Sequence, residues 1–116
     1  MSNLGNADLI QQQFELSERC DELIQELGRQ GEALAQAQYS YYRQKTATAY
    51  RLKDEGFSAT MIMQILKGEP TVANLMRERD IAKSRYQATL ETINVLKLQI
   101  RMNDNQINRE WSNVGN

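Results

Sequence analysis

Histidine is absent from this 116-residue chain, and cysteine and proline occur once each. Without imidazole there is no histidine general base, no Ser-His or Cys-His nucleophile pair and no histidine metal ligand. Cys20 has no second cysteine to join, which excludes a disulfide framework within the chain and a multi-cysteine metal site. Excess charge of one sign is missing as well: 14 Lys plus Arg against 15 Asp plus Glu leave a net charge of −1. No global attraction to nucleic acid or to an acidic membrane follows, although a local patch can still act. Long apolar runs do not occur. The densest stretch, residues 93–102, is broken by Asn94, Lys97, Gln99 and Arg101, short of the about 20 apolar residues that cross a bilayer. The amino-terminal stretch MSNLGNADLIQQQFEL has no basic n-region followed by an apolar segment. The expectation is a cytoplasmic protein without a membrane span.

What is present reads as helix. Residues 7–55 hold no Pro, only Gly28 and Gly31 as glycines, and an abundance of Ala, Gln, Glu, Leu and Arg, all good helix formers. Asn6 is placed to cap this helix, with Asp8 in the first turn complementing its dipole. Leu9, Leu16, Cys20, Leu23, Leu27 and Leu34 recur at a 3-4 spacing, Gln13 and Gly31 filling the gaps, which is the seam of a coiled coil. Ile10, Phe14 and Ile24 widen the apolar face. Gly28 and Gly31 either admit a neighbouring helix closely or interrupt the helix, and continuity is the reading adopted. Gly56 suits a left-handed helix end, and Ser58 the cap of a short helix over 59–67 with Met61, Ile62, Ile65 and Leu66 on one side. Pro70 then opens a third helix over about 70–111. Its seam runs through Val72, Leu75, Arg79, Ala82, Tyr86, Leu90, Ile93, Leu96, Ile100, Ile107 and Trp111, with a polar gap near Asn103. Trp111 is expected to pack on the start of the first helix, and the chain to fray from Asn113.

The fold class expected is all-α: a single helical domain over residues 1–116, two long helices in an antiparallel coiled-coil-like hairpin joined by a short helix. A second apolar row, Ala88, Val95, Leu98 and Met102, lies two residues out of phase with Ile93, Leu96 and Ile100. Two residues are about 200° of helix, so opposite faces are both apolar. One partner helix cannot cover both. Either the first helix bends back across this face or another copy of the chain covers it, and a homo-oligomer interface at these four residues is the reading adopted.

Charge is segregated along the frame. Residues 1–32 carry seven acids and two arginines, a net of −5, while residues 33–53 carry Arg43, Lys45, Arg51 and Lys53 and no acid. Tyr39, Tyr41, Tyr42 and Tyr50 lie in the same basic stretch. Cations interleaved with tyrosines can neutralise phosphates and stack on unpaired bases, or the rings can be core and the cations paired on a solvated face. Tyr39, Tyr42, Arg43, Lys45, Tyr50, Arg51 and Lys53 are the candidate partner or nucleic-acid surface. Leu52, Gly56, Ile62 and Ile65 follow the spacing of a helix-turn-helix. Its second helix offers only Thr60, Gln64 and Lys67 to bases or phosphates, so closure of the hairpin is the simpler account.

Chemistry-bearing groups are scarce. Asp54, Glu55 and Glu69 bracket the short helix as exposed turn acids rather than a cation site. Cys20 sits on the apolar seam beside Asp21 and Glu22, not in the electropositive setting of a reactive thiol. No Gly-rich phosphate loop and no distinguished carboxylate pair occur. The expectation is therefore a protein that is not an enzyme, with no catalytic, cofactor or metal site.

The order Gly56-Phe57-Ser58-Ala59-Thr60, Lys67-Gly68, Arg79-Asp80-Ile81-Ala82, Tyr86, Ile93-Asn94-Val95-Leu96-Lys97, Ile100-Arg101, Gln106-Ile107 and Arg109-Glu110-Trp111 resembles small, largely uncharacterised helical proteins encoded by phages and prophages of Gram-positive bacteria. The resemblance covers residues 50–111. It implies a gene set among early phage functions of replication, recombination and interference with the host, and it supplies no catalytic residues. Taken with the surfaces above, the expected function is a non-enzymatic interaction protein that binds and modulates a host or phage protein, inhibition of a host defence enzyme included. The alternative is an accessory nucleic-acid-binding protein of a replication or recombination module.

Overall fold

The computed structural model describes the backbone of residues 6–114 and the side chains of residues 7–112. Of the described residues 95% are helical and none lies in a strand. The helices are α1 (Asn6–Asp54), α2 (Ala59–Gly68) and α3 (Pro70–Val114), and α1 and α3 pack against each other, so the chain is all-α as expected. α1 begins at Asn6, so the residue expected to precede the helix is its first member; its side chain lies outside the described residues. α3 continues past the expected end at residue 111 to Val114, and of the expected frayed tail residues 115–116 lie outside the described residues. Two units are distinguished: residues 6–28 with 88–114, and Arg29–Gln87.

The Arg29–Gln87 unit contains both chain reversals, and each has a local cause. At the end of α1, Phe57 N donates to Leu52 O at 3.1 Å and Gly56 N to Lys53 O at 3.0 Å, while Gly56 takes φ +95°. This is a Schellman closure, which needs a left-handed residue after the last turn. Ser58 then caps α2, its Oγ accepting from Met61 N at 3.3 Å. Glu69 serves two helices at once. Its N–H donates to Ile65 O at 2.9 Å, closing α2, and its carboxylate accepts from Val72 N at 2.7 Å, opening α3. A carboxylate here satisfies an otherwise orphaned donor and opposes the positive end of the helix dipole. Pro70 follows at the first helical position, where its missing N–H costs nothing.

Within this unit the buried side chains are Tyr41, Thr48 and Leu52 on α1 and Val72 on α3. α2 contributes Ile62, Ile65 and Leu66, all half-buried. Met61, expected on the same side, is exposed: on a helix of ten residues only the Ile62–Leu66 stripe faces inward. Arg79 stands where the 3-4 count asks for an apolar residue. Its guanidinium lies 4.6 Å from the Tyr41 ring centre and donates to Asp80 Oδ1 from Nε at 3.1 Å and Nη2 at 2.9 Å. Those hydrogen bonds to Asp80 hold its pKa above the ordinary value. A cation resting on a ring in this way is an arrangement of about 0.5–2 kcal/mol. The helices run antiparallel here, since Gly31 faces Tyr86 and, further along α1, Tyr41 meets Arg79, earlier in α3.

α1 is continuous through both of its glycines. A Cβ at Gly31 would lie 3.5 Å from Tyr86 Cε2, ordinary contact, and one at Gly28 would meet nothing within 4 Å. Gly28→Ala is therefore expected to raise stability by up to about 1 kcal/mol through helix propensity alone. Gly56→Ala is expected to lower it by about 1–2 kcal/mol, the penalty of a Cβ in the left-handed region. Urea titrations with midpoints displaced in opposite directions check both.

In the unit of residues 6–28 and 88–114, Leu9, Cys20 and Ile93 are buried. Leu16, Leu23 and Leu27 on α1 and Leu96, Ile100 and Ile107 on α3 are half-buried. Cys20 is a free thiol in the core, as its place on the seam predicts. Gln13 occupies the first gap in that seam. Its Nε2 donates to Ile100 O at 2.8 Å and to Asp104 Oδ1 at 2.7 Å. Two seam residues differ from expectation: Leu90 and Trp111 are exposed, Trp111 at 60%, while Thr89 and Glu110 hold the half-buried positions. Tyr86 and Ile107 each stand four residues after a half-buried position, Ala82 and Asn103, so the alternating count next steps three, to 89 and 110, and geometry outranks hydrophobicity in setting what faces the neighbouring helix.

Candidate interaction surfaces

In the unit of residues 6–28 and 88–114, the second apolar row of α3 faces away from the buried seam. Ala88 is exposed, and Val95, Leu98 and Met102 are 55%, 51% and 60% exposed. Their spacing of seven, three and four residues puts them on one face. α1 is one uninterrupted helix from Asn6 to Asp54, with no break that would return a segment across this row. On α1, Ile10, Phe14 and Ile24 are also exposed. At 100° per residue these three share a sector of about 80°.

In the Arg29–Gln87 unit, four of the seven candidates come together. Tyr42, Lys45, Tyr50 and Lys53 line one side of a groove, with Thr46 and Ala49 between them; Ala59, Ile62, Met63 and Leu66 of α2 form the other. The groove exists because the Gly56 turn sets α2 beside the last three turns of α1. Tyr42, Tyr50 and Met63 are exposed along it, and none of its lining residues is acidic. Lys45 Nζ also lies 5.6 Å from the Tyr41 ring centre.

The other three candidates are engaged elsewhere. Arg43 donates to Tyr39 Oη at 3.0 Å and stacks on its ring at 5.7 Å. Arg51 is paired with Glu55 at 3.1 Å. Tyr41, weighed with the tyrosines as a stacking ring, is core and presents no free face. The helix-turn-helix spacing corresponds to a real helix, turn and helix: Leu52 is buried, Ile62 and Ile65 are half-buried, and Thr60, Gln64 and Lys67 are exposed. Of the bracketing acids, Glu55 is held by Arg51 and Glu69 by the start of α3.

Met63, not among the seven candidate surface residues, is part of the groove wall. Its signal was available in the departure of Met61 and Met63 from the Ile62–Ile65–Leu66 stripe, since an apolar residue outside the buried stripe is solvent-facing. No described helix is long and apolar enough to cross a membrane. No protein-family model, curated protein or solved structure matches this chain.

Proposed function

We propose that this chain is a non-enzymatic interaction protein of phage or prophage origin that acts in the host cytoplasm. It self-associates through the Val95–Leu98–Met102 row and presents the groove of the Arg29–Gln87 unit to a host or phage protein that it modulates. A host defence enzyme is one target of this kind. The observation that carries the reading is the α3 row: a helix with one face already packed against α1 has no use for a second apolar seam in water, and such rows mark association surfaces. Methionine and tyrosine in the groove add the adaptable and amphipathic groups that protein partners use.

The second reading, an accessory nucleic-acid-binding protein, is favoured by Tyr42 and Tyr50 lying exposed beside Lys45 and Lys53. One comparison separates the two. Tagged wild type and a Met63→Glu variant of equal helicity are used to capture protein from a Gram-positive host lysate, and both are titrated with an oligothymidine single strand. The first reading expects one protein captured by wild type and lost on substitution, with no appreciable single-strand affinity near physiological salt. The second expects tight, steeply salt-dependent binding that falls by about 1–3 kcal/mol in Tyr42→Ala. It also expects a flatter salt slope once Arg43, Lys45, Arg51 and Lys53 are neutralised. That outcome reverses the ranking.

A further inference from the structure

We propose that the groove of the Arg29–Gln87 unit is occupied, in the assembled protein, by the acidic, apolar stripe at the start of α1 from a second copy of the chain. The inference rests on the self-association reading but places a contact outside the α3 row. Its basis is charge complementarity carried by one sequence. Residues 33–53 hold four cations and no acid, whereas residues 1–32 have a net charge of −5. The groove has Lys45 and Lys53 on one wall and the apolar Ile62 and Leu66 on the other. The stripe offers Ile10, Phe14 and Ile24 as exposed anchors, and the exposed carboxylates of Glu18 and Asp21 lie between the last two.

The pieces match in chemistry. A helix laid in a groove is read through anchors at one-turn spacing, which Ile10 and Phe14 provide. Lys45 and Lys53 are eight residues apart, about 12 Å along α1, so each meets a separate turn of the incoming helix. Burying the stripe also removes from water three large apolar side chains that are 46–61% exposed among the described residues. Like-charge repulsion disfavours two other pairings, stripe with stripe and groove with groove. The contact leaves the groove masked in the assembly and open in the free chain. An outside protein with an acidic amphipathic helix, or a single-stranded nucleic acid, then binds by displacing the second copy.

The test is self-association of the full chain by sedimentation equilibrium, at low and at high salt. Lys45→Glu with Lys53→Glu is expected to weaken it at least tenfold, as is Glu18→Lys with Asp21→Lys. The four-fold charge swap restores it, a result that loss of folding does not produce. A photoreactive benzoylphenylalanine at position 14, on unlabelled chain mixed with nitrogen-15 chain, is expected to cross-link to labelled peptides from residues 42–66. Assembly unchanged by either reversal, or cross-links confined to residues 95–102, overturns the groove contact while leaving self-association standing. A monomer under every condition overturns both. Oligothymidine binding that the Lys reversal abolishes, with assembly intact, assigns the groove to nucleic acid and also overturns the inference.

Discussion

Ile93→Asp is expected to unfold the unit built from residues 6–28 and 88–114, and Ile93→Ala to destabilise it by about 2–5 kcal/mol. Ile93, 2% exposed, is the most deeply buried hydrophobic side chain among the described residues. Among the described residues of this unit only Leu9 and Cys20 join it as buried. A pair of helices has little interior, so each enclosed side chain carries a large share of the apolar area removed from water. Truncation leaves a cavity that two long, continuous helices close poorly. A carboxylate at the same place adds the desolvation of an unpaired charge, and that combination exceeds what a domain of about 5–15 kcal/mol tolerates in a thin core. Far-UV circular dichroism followed through thermal and urea unfolding reads the effect. A midpoint for Ile93→Ala within error of wild type would falsify the assignment of the core to this residue.

Val95→Glu and Leu98→Glu are expected to act on assembly and spare the fold. Both positions are more than half exposed in the single chain, so a carboxylate there stays hydrated and the helix keeps its hydrogen bonds. Against a second copy the same carboxylate is buried and unpaired, at a cost of several kcal/mol that a marginal interface does not offset. Light scattering should therefore show oligomer in wild type and monomer in either variant, with superimposable helical spectra. A wild type that is already a folded monomer at micromolar concentration sinks the interface, and a variant that unfolds shows that the row belongs to the core.

Most of the architecture was legible because spacing and punctuation agree. The alternation from Leu9 to Leu34 marks the inward face of α1, and Gly56, Ser58 and Pro70 mark both reversals. What was not legible depends on geometry that residue type conceals. Tyr41 and Thr48 continue the α1 seam because they fall on its count, although a tyrosine among cations reads as surface. Leu90 and Trp111 lose their places to Thr89 and Glu110 for the same reason. Glu69 reads as one more exposed acid, and only the bonds of its N–H to Ile65 O and of its carboxylate from Val72 N show it to be the joint of α2 and α3. At the candidate surface, composition found the right stretch of α1 but not which side chains share a groove. That depends on the direction in which α2 leaves the Gly56 turn, with Arg51 turned to Glu55 and Arg43 to Tyr39.

The Gln13 amide, held by the Ile100 carbonyl and the Asp104 carboxylate, fixes the register of α1 against α3 in its unit. An apolar seam repeats every seven residues and is nearly indifferent to a slip of one repeat. Gln13 is not. Moved by seven residues in either direction, it meets Lys97 or Trp111 where Asp104 stood, and the charge-assisted bond is lost at a cost of about 1.5–3 kcal/mol. Sliding of one helix along the other, a common means of relaying a binding event down a long hairpin, is thereby closed off in this unit. A partner bound here must make itself felt by bending or fraying the helices instead.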